Sequence, residues 1–280
     1  MIWFAEKLYR DVSQHYEVSK TLYRKRTEHQ DLVIFETQAF GRVLALDGIV
    51  QTTEKDEFIY HEMLVHVPIL AHGAAKRVLI IGGGDGGMLE EALKHPVDRV
   101  TMVEIDESVI TLCREYIPSI CGNAFEDKRG EIVIADGAKY VAETKDRFDV
   151  VIIDSTDPIG PATVLFAEDF YAQCKRCLNP GGVVVTQNGV PFFQPDEIRT
   201  TTKRFCNIFA DVSCYVAAVP SYYGGFMSFG WGALTDAPRR TPIETLRQRY
   251  RAAGLSTRYY NPDIHQGAFQ LPSFIRDLTT

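Results

Sequence analysis

One run of ten residues, Val78-Leu79-Ile80-Ile81-Gly82-Gly83-Gly84-Asp85-Gly86-Gly87, constrains this chain more than any other. Four consecutive apolar residues predict a strand buried on both faces. The six that follow carry no side chain except that of Asp85, and Met88 to Lys94 then reads as the start of a helix. A strand, a glycine-rich turn and a helix N-terminus let backbone approach a phosphate or nucleoside closely. Gly82, Gly84 and Gly87 satisfy G-x-G-x-x-G, a pattern that fits nicotinamide, flavin and S-adenosyl ligands equally. Asp85 narrows the choice. It sets a carboxylate where an anion-binding loop needs N–H groups, so the expected ligand carries positive charge rather than a pyrophosphate. The plainer role for Asp85 is to cap the following helix.

From Arg77 the chain alternates strand and helix. Strands are expected at Val100–Ile105, Glu131–Ala135, Phe148–Ile153 and Gly181–Thr186, and helices at Glu107–Tyr116, Glu168–Leu178 and Asp196–Phe209. Val212–Val219 and Phe226–Ala233 read as a closing antiparallel pair, and the tail from Thr241 as one helix plus a Pro-punctuated segment. Such alternation means an α/β fold with a doubly wound parallel sheet. Before it, short strands at Tyr16–Tyr23, Leu32–Glu36, Arg42–Leu46 and Ile49–Thr53 predict a small antiparallel β domain. A helix from Asp56 to Leu70 follows. The expected division is an N-terminal β domain with its linking helix, 1–70, and a catalytic domain, 71–280.

The formal net charge is −7 and there is no basic run. That leaves little footprint for nucleic acid or an anionic membrane surface, and it suits small cationic ligands. No apolar run reaches membrane-spanning length and the N-terminus does not read as a signal peptide, so the expected location is the cytoplasm. Six scattered cysteines include one tight pair, Cys174-x-x-Cys177, inside an amphipathic helix. Without a second pair or a histidine pair it reads as structural reduced cysteine. His61 and His66 resemble H-E-x-x-H but lie one residue too far apart. They diverge by ~140° on a helix and cannot share a metal. His61 on its own reads as a packing or surface histidine.

Four acids fall at predicted strand ends or in the turns after them: Asp85, Glu104, Asp136 and Asp154. In an open α/β sheet those ends line the ligand crevice. Strand ends are also ordinary places for Asp as turn former and N-cap, so the argument rests on the four together. Glu104 lies 22 residues after Gly82, near the spacing of an acid that binds ribose hydroxyls. Asp136-Gly137 is placed to reach a nucleoside base. The stretch Asp154-Ser155-Thr156-Asp157-Pro158-Ile159-Gly160-Pro161 then projects two carboxylates from a strand end. They suit Mg²⁺ poorly, because nothing nearby favours phosphate. They suit an amine, which is protonated below a pKa of about 10 and attacks only after losing that proton. One carboxylate accepts the proton while the other holds the far end of a diamine.

Taken together these residues resemble the polyamine aminopropyltransferase (spermidine synthase) family, most closely its bacterial members, over nearly the whole chain. The resemblance is carried by His29-Gln30-Asp31-Leu32, Leu46-Asp47-Gly48-Ile49-Val50-Gln51, Asp56-Glu57-Phe58-Ile59-Tyr60-His61-Glu62-Met63 and the Gly82–Gly87 loop. It continues through Val103-Glu104-Ile105-Asp106, Asp136-Gly137, Asp154 to Pro161, Pro220-Ser221-Tyr222-Tyr223-Gly224-Gly225 and Tyr259-Tyr260-Asn261-Pro262. It implies a Rossmann-like, S-adenosylmethionine-methyltransferase-type sheet with a small N-terminal antiparallel β domain. It also implies transfer of an aminopropyl group from decarboxylated S-adenosylmethionine to putrescine, giving spermidine and 5′-methylthioadenosine, with no metal and no cofactor beyond that co-substrate. By the resemblance Asp154 is the proton acceptor, and Tyr60, His61, Asp85, Asp157, Gln187 and Tyr222 surround the amines. Gln30, Gln51, Gly82, Gly84, Glu104, Asp136, Gly137 and Pro161 hold the donor and its nucleoside. The expected assembly is a homodimer or homotetramer, by analogy. Rival readings on the same sheet are a methyltransferase and a nicotinamide dehydrogenase, both disfavoured by Asp85, and a non-catalytic relative, disfavoured by the presence of Asp154 and Tyr222.

Overall fold

A computed structural model describes residues 1–155 and 164–280. Asp157 and Pro161 lie outside the described residues. At the N-terminus β1 (Ile2–Ala5) and β2 (His15–Val18) pair antiparallel. Next come β3 (Lys20–Arg26), β4 (Asp31–Thr37), β5 (Gly41–Leu46) and β6 (Ile49–Thr53), a four-stranded antiparallel sheet in that order. The expected single strand Tyr16–Tyr23 is thus two strands in two sheets, divided at Ser19. The β5–β6 turn places Asp47 at φ 50° and Gly48 at φ 84°, the mirror-image turn that matches strand twist. Alternation buries both faces of the sheet. Leu32, Ile34, Leu44 and Leu46 form one core with Val109 and Leu112, while Val33, Phe35, Val43 and Ala45 form another with Tyr16.

Helix α1 (Glu57–His72) is buried almost all round, runs through Pro68, and ends on left-handed Gly73, whose N–H bonds the Ile69 carbonyl at 2.9 Å. The second unit contains β7 (Arg77–Gly82), α2 (Gly87–Leu93), β8 (Arg99–Glu104), α3 (Glu107–Tyr116), α4 (Pro118–Cys121) and β9 (Gly130–Ile134). It continues with α5 (Gly137–Glu143), β10 (Phe148–Asp154), α6 (Glu168–Arg176), β11 (Leu178–Gln187) and α7 (Pro195–Ile208). Strands β12 (Asp211–Ala217) and β13 (Met227–Ala233) follow, then α8 (Ile243–Ala252), α9 (Pro262–Ala268) and α10 (Ser273–Arg276). The tail therefore holds three helices where one was expected, and α5 was not foreseen at all.

The seven-stranded sheet has the order β12-β13-β11-β10-β7-β8-β9. Strands β7 to β11 run parallel, and β13 closes antiparallel on β11 with β12 outside it. Within β7, Val78 and Ile80 face α1 and α2, while Leu79 and Ile81 face the core that includes Phe170, Tyr171 and Phe205 of α6 and α7. This explains the unbroken apolar run, since a parallel strand covered on both faces has no polar side. Among the described residues no helix is long and apolar enough to cross a membrane.

Candidate active site

The sheet directs its parallel strand ends into one cleft. Asp154, last in β10, pairs in register with Gly82, last in β7. Gly82 has φ 88°, and a Cβ there would stand 2.0 Å from the Asp154 carbonyl oxygen, so glycine alone fits. A Cβ at Gly84 would stand 2.9 Å from Glu104 Oε2, and one at Gly137 would stand 2.5 Å from Ile81 Cγ2. These glycines bring β7, β8 and the start of α5 to a common floor. The cleft above it has a volume of about 280 Å³. Every sequence-predicted site residue that the structure describes lines it, from Gln30 and Gln51 through Tyr60, His61 and Asp85 to Gln187 and Tyr222. Glu6, Tyr9 and His29 also line it, and sequence reasoning assigned none of them a role in the site. Among the described residues no lysine or arginine does.

At one end of the cleft, Glu104 is 8% exposed and its Oε1 accepts the Asp106 N–H at 2.9 Å. Burial pushes its pKa to about 7, against the pull of the Asp106 and Ile105 amides. Gln30 Nε2 donates to Asp106 Oδ2 at 3.0 Å, which ties the β3–β4 turn to the cleft. Asp136 Oδ1 accepts the Ala138 and Lys139 N–H groups at 2.8 and 3.2 Å, so it also caps α5. Gln51 Nε2 donates to the Ile49 carbonyl at 3.2 Å.

At the other end, Tyr60 donates its hydroxyl to Asp154 Oδ1 at 2.6 Å. Burial and the charge of Asp85 lift the Asp154 pKa to about 6, while His61 and the Tyr60 bond pull it down. Asp85 lies in the turn just before α2. Its Oδ1 accepts the Gly87 N–H at 2.9 Å at the start of α2, and its Oδ2 lies 3.3 Å from His61 Nε2 inside the cleft. Burial works against ionising Asp85, but the neighbouring His61 and the Gly87 amide hold its pKa below the ordinary carboxylate value. Tyr222 stands edge-on to Tyr60 with ring centroids 5.6 Å apart and donates its hydroxyl to the Gln51 carbonyl. Gln187 Oε1 accepts the Gly189 N–H at 3.0 Å.

His61 is thus a cleft residue, 2% exposed, and not merely a packing one. His66 turns elsewhere, with Nδ1 2.8 Å from His95 Nε2 and Nε2 3.1 Å from Glu91 Oε2. Cys174 and Cys177 are buried free thiols, both pushed up by burial. Three supporting acids escaped the sequence reading. Glu57 Oε2 lies 2.7 Å from His61 Nδ1, and its i,i+4 spacing was a visible signal. Asp56 accepts the Ser221 N–H at 2.7 Å and so fixes the Tyr222 loop. Glu62 accepts the N–H groups of Arg258, Tyr259 and Tyr260 at 2.7 to 2.8 Å, anchoring the tail to α1. No sequence pattern announces the last two.

Comparison with known proteins gives one consistent result. Residues 57–238 match the spermine/spermidine synthase domain, and residues 2–54 match the spermidine synthase tetramerisation domain. The chain is 59% identical over 273 residues to polyamine aminopropyltransferase 1 of Pseudomonas aeruginosa, covering 97% of this chain and 96% of that one. Among solved structures, spermidine synthase in complex with the transition-state analogue AdoDATO superposes with a TM-score of 0.93 at 38% identity, covering 99% of this chain and 94% of that one. The spermidine synthase from Thermotoga maritima gives 0.93 at 37% identity, covering 100% of this chain and 94% of that one.

Proposed function

The chain belongs to the spermine/spermidine synthase family, and from that premise we propose that it moves the aminopropyl group of decarboxylated S-adenosylmethionine to putrescine, giving spermidine and 5′-methylthioadenosine. The observation that carries this reading is the charge of the cleft. Asp85, Glu104 and Asp154 are collected in one cavity, which no described lysine or arginine lines. A carboxylate-lined cleft attracts cations and rejects anions, and each reactant brings two positive charges.

The reaction is a direct displacement. The acceptor nitrogen attacks the methylene carbon beside the sulfonium as the C–S bond breaks, and the bonding pair remains on sulfur as a neutral thioether. Asp154 accepts the proton that the acceptor nitrogen must lose. An alkylammonium has a pKa of about 10.4, so a carboxylate near its ordinary value is a poor acceptor for it. Burial narrows that gap by lifting Asp154 to about 6, and it leaves roughly 90% of the group ionised at pH 7. Tyr60 orients the carboxylate. Asp157, Gln187 and Tyr222 hold the far end of the diamine, and Pro161 belongs to the nucleoside subsite. Gln30, Gln51, Gly82, Gly84, Glu104, Asp136 and Gly137 form the donor and nucleoside subsites, with Glu104 accepting the ribose hydroxyls.

Asp85 selects the donor. It pairs with the lone ammonium of the decarboxylated compound and repels the carboxylate of S-adenosylmethionine. The catalytic unit is 71–280, and 1–70 supply the N-terminal β domain and linking helix. Ile2 and Trp3, 68% and 52% exposed on β1, support homo-oligomer formation through that domain.

The test is product analysis with the purified protein, putrescine and either donor. Spermidine and methylthioadenosine in equal amounts from the decarboxylated donor, and no methylated product from S-adenosylmethionine, are the expected result. Methyl transfer, or no transfer from the decarboxylated donor, would refute the reading.

A further inference from the structure

His61 is held between two carboxylates. Its Nδ1 lies 2.7 Å from Glu57 Oε2, one turn earlier on α1, and its Nε2 lies 3.3 Å from Asp85 Oδ2 on the glycine loop. An ionised carboxylate only accepts hydrogen bonds, and a neutral imidazole has one N–H and one lone pair. A neutral ring would therefore set its lone pair against an anion at one of these contacts. Only the imidazolium satisfies both. At 2% exposure the ring has little water to relieve a mismatch.

The surroundings agree with a charged ring. Burial opposes the charge, yet Asp85 and Glu57 together hold the His61 pKa well above its ordinary value. Among the described residues, the other titratable groups near the ring are Tyr60 on α1, at 5.6 Å between centroids, and Asp154 at the end of β10. From α2 the ring meets backbone, since a Cβ at Gly87 would stand 2.2 Å from His61 Cε1.

Before the donor arrives, Asp85 thus already has a cation. The donor's ammonium requires the same carboxylate, and two cations on one buried carboxylate repel each other strongly. We infer that His61 is the proton exchanger of the donor subsite and that Glu57 is the positioning residue that keeps it charged until the donor docks. When the ammonium reaches Asp85, the Nε2–H bond of His61 breaks and its electron pair stays on Nε2. The proton passes to the solvent buffer. Nδ1–H remains on Glu57, and Nε2 and Asp85 Oδ2 both accept from the incoming ammonium. One positive charge enters and one leaves, so the charge of the subsite is conserved. A nucleoside without the aminopropyl ammonium leaves the His61 proton in place.

This inference rests on the donor assignment made above, and the experiment separates the two. Titration calorimetry at pH 7 in buffers of differing ionisation enthalpy counts the protons released on binding. Decarboxylated S-adenosylmethionine should release about one proton more than 5′-methylthioadenosine, which cancels any contribution from Glu104 at the shared nucleoside subsite. That excess should persist in Asp154→Asn and vanish in His61→Gln. In Glu57→Gln, which keeps a hydrogen-bonding group but removes the charge, the excess should fall to a fraction. The donor affinity of that variant should also lose most of its rise with pH relative to methylthioadenosine. In wild type, ¹⁵N shifts of the His61 ring should change from imidazolium to neutral Nδ1–H on adding donor, a readout that needs no variant. No excess release in wild type, an excess that survives His61→Gln, or an unchanged ring nitrogen spectrum would each overturn the exchange. Failure of both nucleosides to bind would instead overturn the functional reading beneath it.

Discussion

Replacing Asp154 with Asn should move activity and stability in opposite directions. Asn keeps the size of the side chain and an oxygen to accept the Tyr60 hydroxyl, a bond of 2.6 Å in the wild-type protein. It removes the proposed proton acceptor. Losing a positioned general base lowers kcat by about 10²–10⁴, which is about 3–5.5 kcal/mol of barrier. The same change removes a buried carboxylate whose pKa is raised from 3.8 to about 6, by burial and then by the charge of Asp85. A folded-state pKa above the unfolded one means that the folded protein keeps a proton the unfolded chain has released. Stability therefore falls as pH rises from about 4 to about 6, and the loss persists above that range. A shift of roughly two units corresponds to up to about 3 kcal/mol, part of it shared with Asp85 and His61. Asp154→Asn should thus melt several degrees above wild type at pH 7.5, with the two curves meeting near pH 4. The assay pairs spermidine production at pH 7 with thermal melts at both pH values. Near-normal turnover would refute the base assignment, and a lower melting temperature at pH 7.5 would refute the account of the buried charge.

Other consequences follow from the same cleft. Glu104→Gln should weaken 5′-methylthioadenosine binding by roughly 10–100-fold, the cost of a charge-assisted hydrogen bond. In wild type that affinity should fall about tenfold per unit below pH 7, because a protonated Glu104 no longer accepts both hydroxyls and its pKa lies at about 7; calorimetry across pH 5.5–8 checks both. Gly87→Ala places a methyl against a ring pinned on both sides, so it should cost about 1–3 kcal/mol of donor affinity while methylthioadenosine binding stays unchanged. Equal losses for both ligands would show that the glycine serves the loop and not His61. Trp3→Glu should lower the molar mass measured by light scattering at micromolar protein, and an unchanged mass would place the assembly surface elsewhere.

Much of this was legible in the sequence, and the reasons are local. Ile80 and Ile81 alternate between two buried faces, and that geometry requires an unbroken apolar run. Gly82 has φ 88° with Asp154 backbone against its Cα, which requires glycine. Their partners are distant, but the apolar run, the glycine turn and the strand ends that carry Glu104 and Asp136 are each written in consecutive residues, so they can be read without knowing what packs against them. The misses depend on partners far away. Ile2–Ala5 is too short and too exposed to announce itself as a strand, and it exists only because Tyr16 and Phe35 lie beneath Phe4. Asp56 looks like a helix cap, yet its carboxylate accepts the Ser221 N–H from the far side of the chain. The tail helices depend on Glu62 in the same way. Glu57 is the avoidable miss, since it stands one helical turn before His61.

On the proposed function, one carboxylate cleft holds the acceptor nitrogen against Asp154 and the donor's aminopropyl end against Asp85. A crystal structure with 5′-methylthioadenosine and putrescine bound together tests it most directly. The expected result is ribose hydroxyls on Glu104, the thioether pointing from the glycine loop toward Asp85, and one putrescine nitrogen about 2.6–3.2 Å from an Asp154 oxygen and facing the sulfur. Putrescine bound with both nitrogens away from Asp154, or the nucleoside bound away from Glu104, would contradict it.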